Sequence, residues 1–203
     1  MHALILVDIQ NDFLPGGRLP VAGGDAILPV VADLIPRYPL VVATQDWHPA
    51  GHMSFASSHA GRTPFETVEL DGLPQTLWPD HCVQGTPGAE FAPGLDLRPV
   101  RAIFRKGMDP RVDSYSGFFD NGRRHRTGLA EWLRAMGADT VHVVGLAAEV
   151  CVAYTARDAA EQGFRTAIVE DATRALSAEA FAATAAELGE RGVGLLRADA
   201  VRV

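Results

Sequence analysis

The stretch TVHVVGLAAEVC, residues 140–151, indicates the fold. Residues 140–144 are rich in β-branched residues and predict a buried strand, and residues 145–148 predict a turn into a helix that begins near Glu149. A strand that turns into a helix is the repeating unit of parallel α/β sheets. Cys151 lies at the start of this helix, where the helix dipole stabilises negative charge, so we interpret it as a thiolate nucleophile. The alternative is a small buried core residue, which is the commoner role of a free cysteine.

The same alternation of short strands and helices continues on both sides of this stretch. Further strands are predicted at residues 3–7, 40–44, 102–105, 166–169 and 194–196. Helices are predicted at residues 26–35 with Asp25 as the N-cap, at 129–136, at 149–162, and from the N-cap Ser177 to near Gly192. The fold class is therefore α/β. We expect residues 1–203 to form a single three-layer α/β/α domain around a mostly parallel sheet of roughly six strands.

The composition argues against several classes of partner. The 203 residues carry a formal net charge of −7, and the one basic run is Arg123-Arg-His-Arg126. We therefore expect no nucleic-acid partner, no membrane partner, and a small molecule as the ligand. The N-terminal apolar run meets Asp8 too early for a signal peptide, so we expect a cytoplasmic protein whose cysteines, Cys82 and Cys151, are free thiols. A homo-oligomer is compatible with the sequence, which does not specify it.

Chemically reactive side chains follow the predicted strands. Asp8 follows the first strand, Asp46 and His48 follow the second, Lys106 follows the third, and Cys151 follows the fourth. Because ligands of such sheets bind beyond the carboxyl ends of the strands, these side chains are expected to meet. Taken singly, Asp8 also fits a turn cap, Asp46 a loop start and Lys106 a solvated lysine. Together, an acid, an amine and a thiol are what an activated cysteine requires: Asp8 would accept the Cys151 proton, and Lys106 would stabilise both negative charges.

Residues 45–100 form a long irregular region, rich in Pro, Gly and His, that we expect to build the site. Asp46 and His48 would share one face of an extended segment, and His81 would close a metal site from the loop. One carboxylate and two imidazoles suit a single divalent ion, with zinc first and iron or manganese as alternatives. Outside this set, His52 stays open as a ligand or as a neighbour of one, His59 is expected in solvent, and Cys82 is expected to pack in the core.

Seven blocks of the sequence also carry a family resemblance. They are Val7-Asp-Ile-Gln-Asn-Asp-Phe13, Asp46-Trp-His-Pro49, Ser54-Phe-Ala56, Trp78-Pro-Asp-His-Cys-Val-Gln84, Lys106-Gly107, Tyr115-Ser-Gly-Phe118, and Gly145-Leu-Ala147 with Cys151-Val152. In this order, these blocks resemble the nicotinamidases, a branch of the isochorismatase-like cysteine hydrolases. The set Asp8, Lys106 and Cys151 marks the wider superfamily, whereas the metal trio is more specific to the nicotinamidase branch.

The resemblance implies hydrolysis of nicotinamide to nicotinate and ammonia in NAD salvage, with pyrazinamide as a further substrate. It implies that Cys151 forms a thioester, that Asp8 shuttles protons, and that Lys106 keeps the pair charged. It also implies a cis peptide bond between Leu146 and Ala147, with the backbone amides of Ala147 and Cys151 as the oxyanion hole.

For the substrate, the resemblance implies that the metal at Asp46, His48 and His81 binds the pyridine nitrogen. Phe13, Trp78 and Tyr115 would line the pocket of the ring. The sequence departs from the family at Ala148-Glu149-Val150, where nicotinamidases commonly have Thr-Asp followed by Tyr or His. This departure keeps the acid but removes a hydroxyl that could hold the turn by a side-chain hydrogen bond.

Two alternatives remain from the sequence. A different amidohydrolase of this fold, acting on a carbamoyl or ureido compound, would keep Asp8, Lys106 and Cys151 but would have no use for the metal trio. A non-catalytic metal-holding binding protein is the second alternative, because fold alone does not guarantee activity. The intact acid, amine and thiol argue against it.

Overall fold

A parallel sheet of six strands runs through the molecule, in a computed structural model that describes residues 1–203. In chain order, the eight strands of the chain are β1 (His2–Val7), β2 (Leu40–Asp46), β3 (Thr67–Leu70), β4 (Leu73–Thr76), β5 (Val100–Lys106), β6 (Thr140–Leu146), β7 (Arg165–Arg174) and β8 (Gly194–Leu196). Of these, β3 and β4 form a separate hairpin and the other six form this sheet. The helices are α1 (Leu28–Leu34), α2 (Leu129–Ala135), α3 (Ala153–Glu161) and α4 (Ala178–Glu190). The sheet order is β5-β2-β1-β6-β7-β8, which confirms the predicted fold class.

Helices cover both faces of this sheet because the strands are apolar on both sides. Alternate residues of β1 enter two separate cores: Leu4 and Leu6 belong to one, and Ile5 and Val7 to the other. The first core also contains Val31 and Leu34 of α1, and the second contains Leu133 of α2, Ala156 of α3 and Leu188 of α4. A parallel strand buried on both faces has this uniformly apolar sequence. The three predicted layers are therefore present.

Several predicted boundaries differ from the structure. The strands β2, β6 and β7 extend beyond the predicted ends, to Asp46, Leu146 and Arg174 respectively. The prediction that Asp25 caps the first helix is wrong, because Asp25 lies inside a short turn, Gly24–Ile27, that precedes α1. The predicted cap of α4 is confirmed, since the Ser177 hydroxyl accepts a hydrogen bond from the Ala180 amide at 3.2 Å.

The long irregular region contains one regular element that the sequence analysis omitted. Strands β3 and β4 pair as an antiparallel hairpin through Asp71 and Gly72, whose φ angles are 52° and 80°. Two residues with positive φ are the requirement of a tight hairpin turn, and Asp-Gly is a common pair there. The rest of the region folds back on itself: the His48 amide donates to the Cys82 carbonyl at 3.0 Å. This pairing brings the His81 segment to the end of β2.

No helix of the chain combines the length and the apolar character needed to cross a membrane.

Candidate active site

The carboxyl ends of four adjacent strands meet in one buried site. Asp8 follows β1, Asp46 ends β2, Lys106 ends β5, and Cys151 lies in the helical turn that follows β6. All four residues are buried, with Asp8 at 0% and Cys151 at 6% exposure. Because β5, β2, β1 and β6 are consecutive in the sheet, the side chains that leave their ends become neighbours. The expectation that these residues meet therefore describes the structure correctly.

The Lys106 ammonium lies at the centre of the site. Its Nζ is 2.8 Å from Asp8 Oδ2, 3.1 Å from Asp46 Oδ1 and 3.5 Å from Cys151 Sγ. It also donates to the Ser114 carbonyl at 2.9 Å. A buried ammonium with acceptors on all sides is fixed in place and remains charged. Lys106 thus contacts the acid, the nucleophile and one candidate metal ligand at once.

The two oxygens of Asp8 have different partners. Oδ1 accepts a hydrogen bond from the Thr44 hydroxyl at 2.7 Å. Oδ2 faces the Lys106 ammonium at 2.8 Å and has no further hydrogen-bond partner. A second lone pair of Oδ2 is therefore open to receive a proton. Thr44 was not singled out from the sequence, because its position inside a strand looks like that of any β-branched residue.

The end of β1, just before Asp8, passes close to a glycine on the neighbouring strand. Asp8 has a φ of 48°, which is uncommon for a residue with a side chain. Gly145 of β6 pairs with Val7, and its own φ is 121°. A Cβ at position 145 would lie 2.0 Å from the Val7 carbonyl oxygen, which is far inside contact distance. The close approach of β1 and β6 at this point therefore depends on Gly145.

The turn that carries the nucleophile has the expected backbone. The peptide bond between Leu146 and Ala147 is cis. A single wide helical turn, Ala148–Val152, follows and continues into α3, so Cys151 does lie at the start of a helix. The Ala147 carbonyl accepts from the Val150 and Val152 amides at 3.2 Å each, whereas the Ala147 amide donates to no backbone acceptor. That amide is available to an oxyanion.

The charges around Cys151 determine its resting form. Burial raises the pKa of the Cys151 thiol well above its ordinary value, and the nearby Lys106 ammonium only partly opposes this effect. Burial also raises the pKa of Asp8, against the opposing charge of Lys106. Burial therefore opposes the expected thiolate, which stays a prediction. The same burial makes the Asp8 carboxylate a stronger base than an exposed one.

Asp46, His48 and His81 form a buried group with the donor atoms of a metal site. One ligand atom from each residue lies within 4.8 Å of the others. Asp46 Oδ2 is 3.1 Å from His48 Nε2 and 3.4 Å from His81 Nε2. Burial alone would raise the pKa of the Asp46 carboxyl, but the neighbouring His48 imidazole and Lys106 ammonium outweigh burial and hold this pKa well below its ordinary value. A carboxylate and two imidazole nitrogens suit a divalent transition-metal ion.

Backbone carbonyls orient both imidazoles toward Asp46. His48 Nδ1 donates to the Gly107 carbonyl at 3.0 Å, and His81 Nδ1 donates to the Pro79 carbonyl at 2.8 Å. Since a carbonyl only accepts, each ring carries its proton on Nδ1 and presents Nε2 to the centre of the group. A Cβ at position 107 would lie 2.5 Å from the His48 ring, so glycine is required behind this ligand. The residues present therefore fit a bound metal ion.

The other candidates of this region are occupied elsewhere. His52 bonds Ser54 Oγ through Nδ1 at 2.7 Å and the Asp109 carbonyl through Nε2 at 2.7 Å, so neither nitrogen is available to an ion. The prediction that His59 lies in solvent is wrong, because it is half-buried and donates to the Met53 carbonyl at 2.8 Å. Cys82 is fully buried in the core, as expected.

A pocket, with about 370 Å³ of empty space including the solvent at its mouth, joins the nucleophile to the metal group. Phe13, Trp78 and Tyr115 all line it, as does Ala147. The Trp78 ring nitrogen donates to the Tyr115 hydroxyl at 3.2 Å, which fixes both rings. Four aliphatic side chains complete the lining: Leu19, Val21, Val150 and Leu176. A flat apolar ring with one polar group at each end matches this distribution.

Glu149 is the acid that this chain keeps where its sequence departs from the family pattern. Its carboxylate accepts hydrogen bonds from the Leu176 amide at 3.2 Å and the Ser177 amide at 2.7 Å. These amides belong to the segment that begins α4 and supplies Leu176 to the pocket. The acid at this position thus ties the nucleophile turn to the opposite pocket wall.

Asp113 also lines the pocket, although no sequence pattern pointed to it. It lies in a polar loop, far from any strand end, where an aspartate is an ordinary surface residue. Here it is buried, and its Oδ1 is 4.0 Å from His48 Nε2.

Comparison with known proteins agrees with this geometry. Residues 2–199 match the family model of the isochorismatase domain. The nicotinamidase of Acinetobacter baylyi is 50% identical over 174 residues, which cover 86% of this chain and 81% of that protein. The chain belongs to the isochorismatase family, among its nicotinamidases.

Two solved structures of this family share the fold. This nicotinamidase chain matches an Acinetobacter baumannii nicotinamidase/pyrazinamidase with a TM-score of 0.95 at 45% identity, over 98% of this chain and 96% of that one. It matches the pyrazinamidase of Pyrococcus horikoshii, solved in complex with zinc, with a TM-score of 0.81 at 38% identity, over 97% of this chain and 98% of that one.

Proposed function

We propose that the chain hydrolyses nicotinamide to nicotinate and ammonia, a reaction of NAD salvage, and that it also hydrolyses pyrazinamide. One observation carries the proposal: the thiol of Cys151 shares a single pocket with Asp46 and His81 of the metal group, and Lys106 contacts both Cys151 and Asp8 beside it. Nicotinamide has a ring nitrogen and a carboxamide on one flat ring, so it can meet both groups together. Pyrazinamide keeps a ring nitrogen at the same distance from its carboxamide.

The first half of the reaction forms a thioester. Cys151 Sγ attacks the carboxamide carbon as its proton passes to Asp8 Oδ2, the oxygen that faces Lys106 and has no other partner. The backbone amides of Ala147 and Cys151 donate to the oxygen that becomes negative. Collapse breaks the carbon–nitrogen bond, and Asp8 returns the proton to the nitrogen, which leaves as ammonia. Lys106 stays charged throughout, since the carboxylates of Asp8 and Asp46 raise its pKa well above the usual value against the effect of burial.

The second half releases the acid. Water attacks the thioester carbon while Asp8 takes one of its protons. The carbon–sulfur bond then breaks, Cys151 regains a proton from Asp8, and the acid product leaves as nicotinate after giving its remaining proton to solvent. Asp8 therefore acts as base and acid in turn, and the site returns to its starting protonation.

Substrate orientation uses the other end of the pocket. Asp46, His48 and His81 would hold one divalent ion, which would supply a Lewis acid for the pyridine nitrogen. Phe13, Trp78 and Tyr115 hold the ring between apolar surfaces and exclude water from its faces. We infer zinc as the ion, which the related Pyrococcus horikoshii structure holds, with iron and manganese as the alternatives that this donor set accepts.

The test is ammonia release from nicotinamide by the purified protein. It is run as isolated, after chelation, and after separate additions of zinc, iron and manganese. We expect turnover to disappear on chelation and to return with metal. Cys151→Ala should abolish ammonia release, while the matched control Cys82→Ala keeps it. Folded protein with a reactive thiol but no turnover with any metal would favour the carbamoyl or ureido alternative.

The metal ligands have a separate test. Asp46→Ala and His48→Ala should lose bound metal by elemental analysis, because each removes a donor and leaves two. His59→Ala is the control, since its ring bonds only a backbone carbonyl of its own loop. Unchanged metal content in the first two variants would remove this ligand assignment.

We further propose that residues 1–203 act as one domain in the cytoplasm. The single six-stranded sheet, which includes strands from both ends of the chain, and the two free cysteines support this proposal. Limited proteolysis that released a stable fragment would contradict the single domain, and cell fractionation tests the location. Light scattering gives the number of copies, because the sequence is compatible with a homo-oligomer.

A further inference from the structure

The buried charges around Lys106 and the metal group do not balance. With His48 and His81 as neutral ligands, Asp8, Asp46 and Asp113 carry three negative charges and Lys106 carries one positive charge, so the sum is −2. Asp12 is also buried, but its oxygens accept from the Cys82 and Arg18 amides and not from this group. Buried charge without compensation is costly, and proteins avoid it by pairing or by binding metal ions.

Asp113 is the member of this group without a cationic partner of its own. Lys106 contacts both Asp8 and Asp46, at 2.8 and 3.1 Å. The nearest basic nitrogen to Asp113 is His48 Nε2, at 4.0 Å from Oδ1. This nitrogen is the one that the Gly107 carbonyl turns toward the metal group.

The Asp113 carboxylate is held in this position by neutral donors. Its Oδ1 accepts from the Ser114 amide at 2.7 Å, and its Oδ2 accepts from Gln75 Nε2 at 3.1 Å. Gln75 belongs to β4, so the hairpin that projects from the long loop reaches this carboxylate. Two fixed hydrogen bonds keep the charge beside the metal group and prevent it from turning to solvent.

We propose that Asp113 is an outer carboxylate of the metal centre. It makes no bond to the ion, but its negative charge joins that of Asp46 to balance a divalent cation. With such an ion the buried sum changes from −2 to zero, whereas a monovalent ion leaves one charge uncompensated. This inference rests on the proposed metal site and adds a residue that sets how tightly the ion is held.

The test measures the affinity of the metal-free protein for zinc by competition with a chromophoric chelator. Asp113→Asn removes the charge at nearly constant shape, and we expect the dissociation constant to rise about 10- to 100-fold, as for other residues behind metal ligands. Asp113→Ser removes the charge without placing a second amide against Gln75, and it should show the same loss. Asp109→Asn is the matched control, because Asp109 lies on the same loop but bonds only the Arg111 amide through its side chain.

The outcomes separate this inference from the function it rests on. If the wild-type protein binds zinc and both Asp113 variants bind it equally well, Asp113 has no such role and the proposed function is unaffected. An equal loss in Asp109→Asn would also overturn the inference, because the effect would then belong to the net charge of the loop. Failure of the wild-type protein to bind zinc, iron or manganese, with ammonia released regardless, would instead remove the proposed metal site.

Discussion

Replacing Thr44 by valine should move the pH dependence of catalysis without changing the shape of the site. The Thr44 hydroxyl donates to Asp8 Oδ1 at 2.7 Å inside a fully buried site. Valine keeps the branched shape and the strand preference of threonine but removes this donor. The hydrogen bond stabilises the ionised form of Asp8, so its loss favours the protonated form.

The size and sign of the shift follow from this contact. A hydrogen bond to a charged group contributes about 1.5–3 kcal/mol. Since one pKa unit corresponds to about 1.4 kcal/mol, the pKa of Asp8 should rise by about 1–2 units. Asp8 must be ionised to accept the Cys151 proton, so kcat/KM falls as the pH drops through this pKa. The acid limb of the profile should therefore move to higher pH in Thr44→Val, by about the same 1–2 units.

The assay is the pH profile of kcat/KM for nicotinamide, with metal content and circular dichroism measured on the same samples. Thr44→Ser is the control, because it keeps the hydroxyl and should keep the wild-type acid limb. An unshifted limb in folded, metal-loaded Thr44→Val would refute the assignment of Asp8 as the proton acceptor that Thr44 supports. A drop of turnover that is equal at every pH would point to simple structural damage.

Three further substitutions test the packing around the site. Gly145→Ala should lower the free energy of unfolding, measured in urea, by about 3 kcal/mol, because the φ of Gly145 is 121° and the new Cβ would meet a β1 carbonyl. The control Gly189→Ala should instead raise it by about 0.5 kcal/mol, because no atom of the protein lies near this position on α4. Cys82→Ala should keep turnover within about twofold and lose about 1 kcal/mol of stability, since only a small core group is removed; abolished turnover would show a chemical role. Glu149→Ala should raise KM more than it lowers kcat, because the Leu176 wall loses both its hydrogen bonds to the nucleophile turn; equal losses at kcat and kcat/KM would place Glu149 in the chemistry.

The sequence was sufficient to predict the sheet and its strand ends. Short apolar runs separated by helical segments have few alternatives to a parallel sheet, and the residues that follow parallel strands converge by topology alone. Asp8, Asp46, Lys106 and Cys151 were therefore found without knowledge of any distance. The hairpin was missed because its strands are four residues each and only half apolar, although the Asp71-Gly72 pair was a visible turn signal.

Other features of the site could not be predicted because they depend on distances. Thr44 looks like an ordinary strand residue until its hydroxyl is placed 2.7 Å from a carboxylate. Asp113 looks like a loop residue until Gln75 is found to hold it beside His48. A helix start and a lysine both favour the thiolate predicted for Cys151, whereas the depth of burial that raises its pKa cannot be read from sequence.

The position of Lys106 between Asp8 and Asp46 limits how an enzyme of this kind can change during evolution. Lys106 and Asp8 neutralise each other, so a descendant that works without metal can keep this pair and Cys151 unchanged. It cannot keep Asp46 and Asp113 as well, because their charges would then be buried with no cation to offset them. The histidines, being neutral, can be lost or kept at little electrostatic cost. We therefore expect metal-free branches of the family to have replaced the acids at the positions of Asp46 and Asp113, whether or not they kept the histidines. A survey of such branches for loss of both acids together would test this expectation.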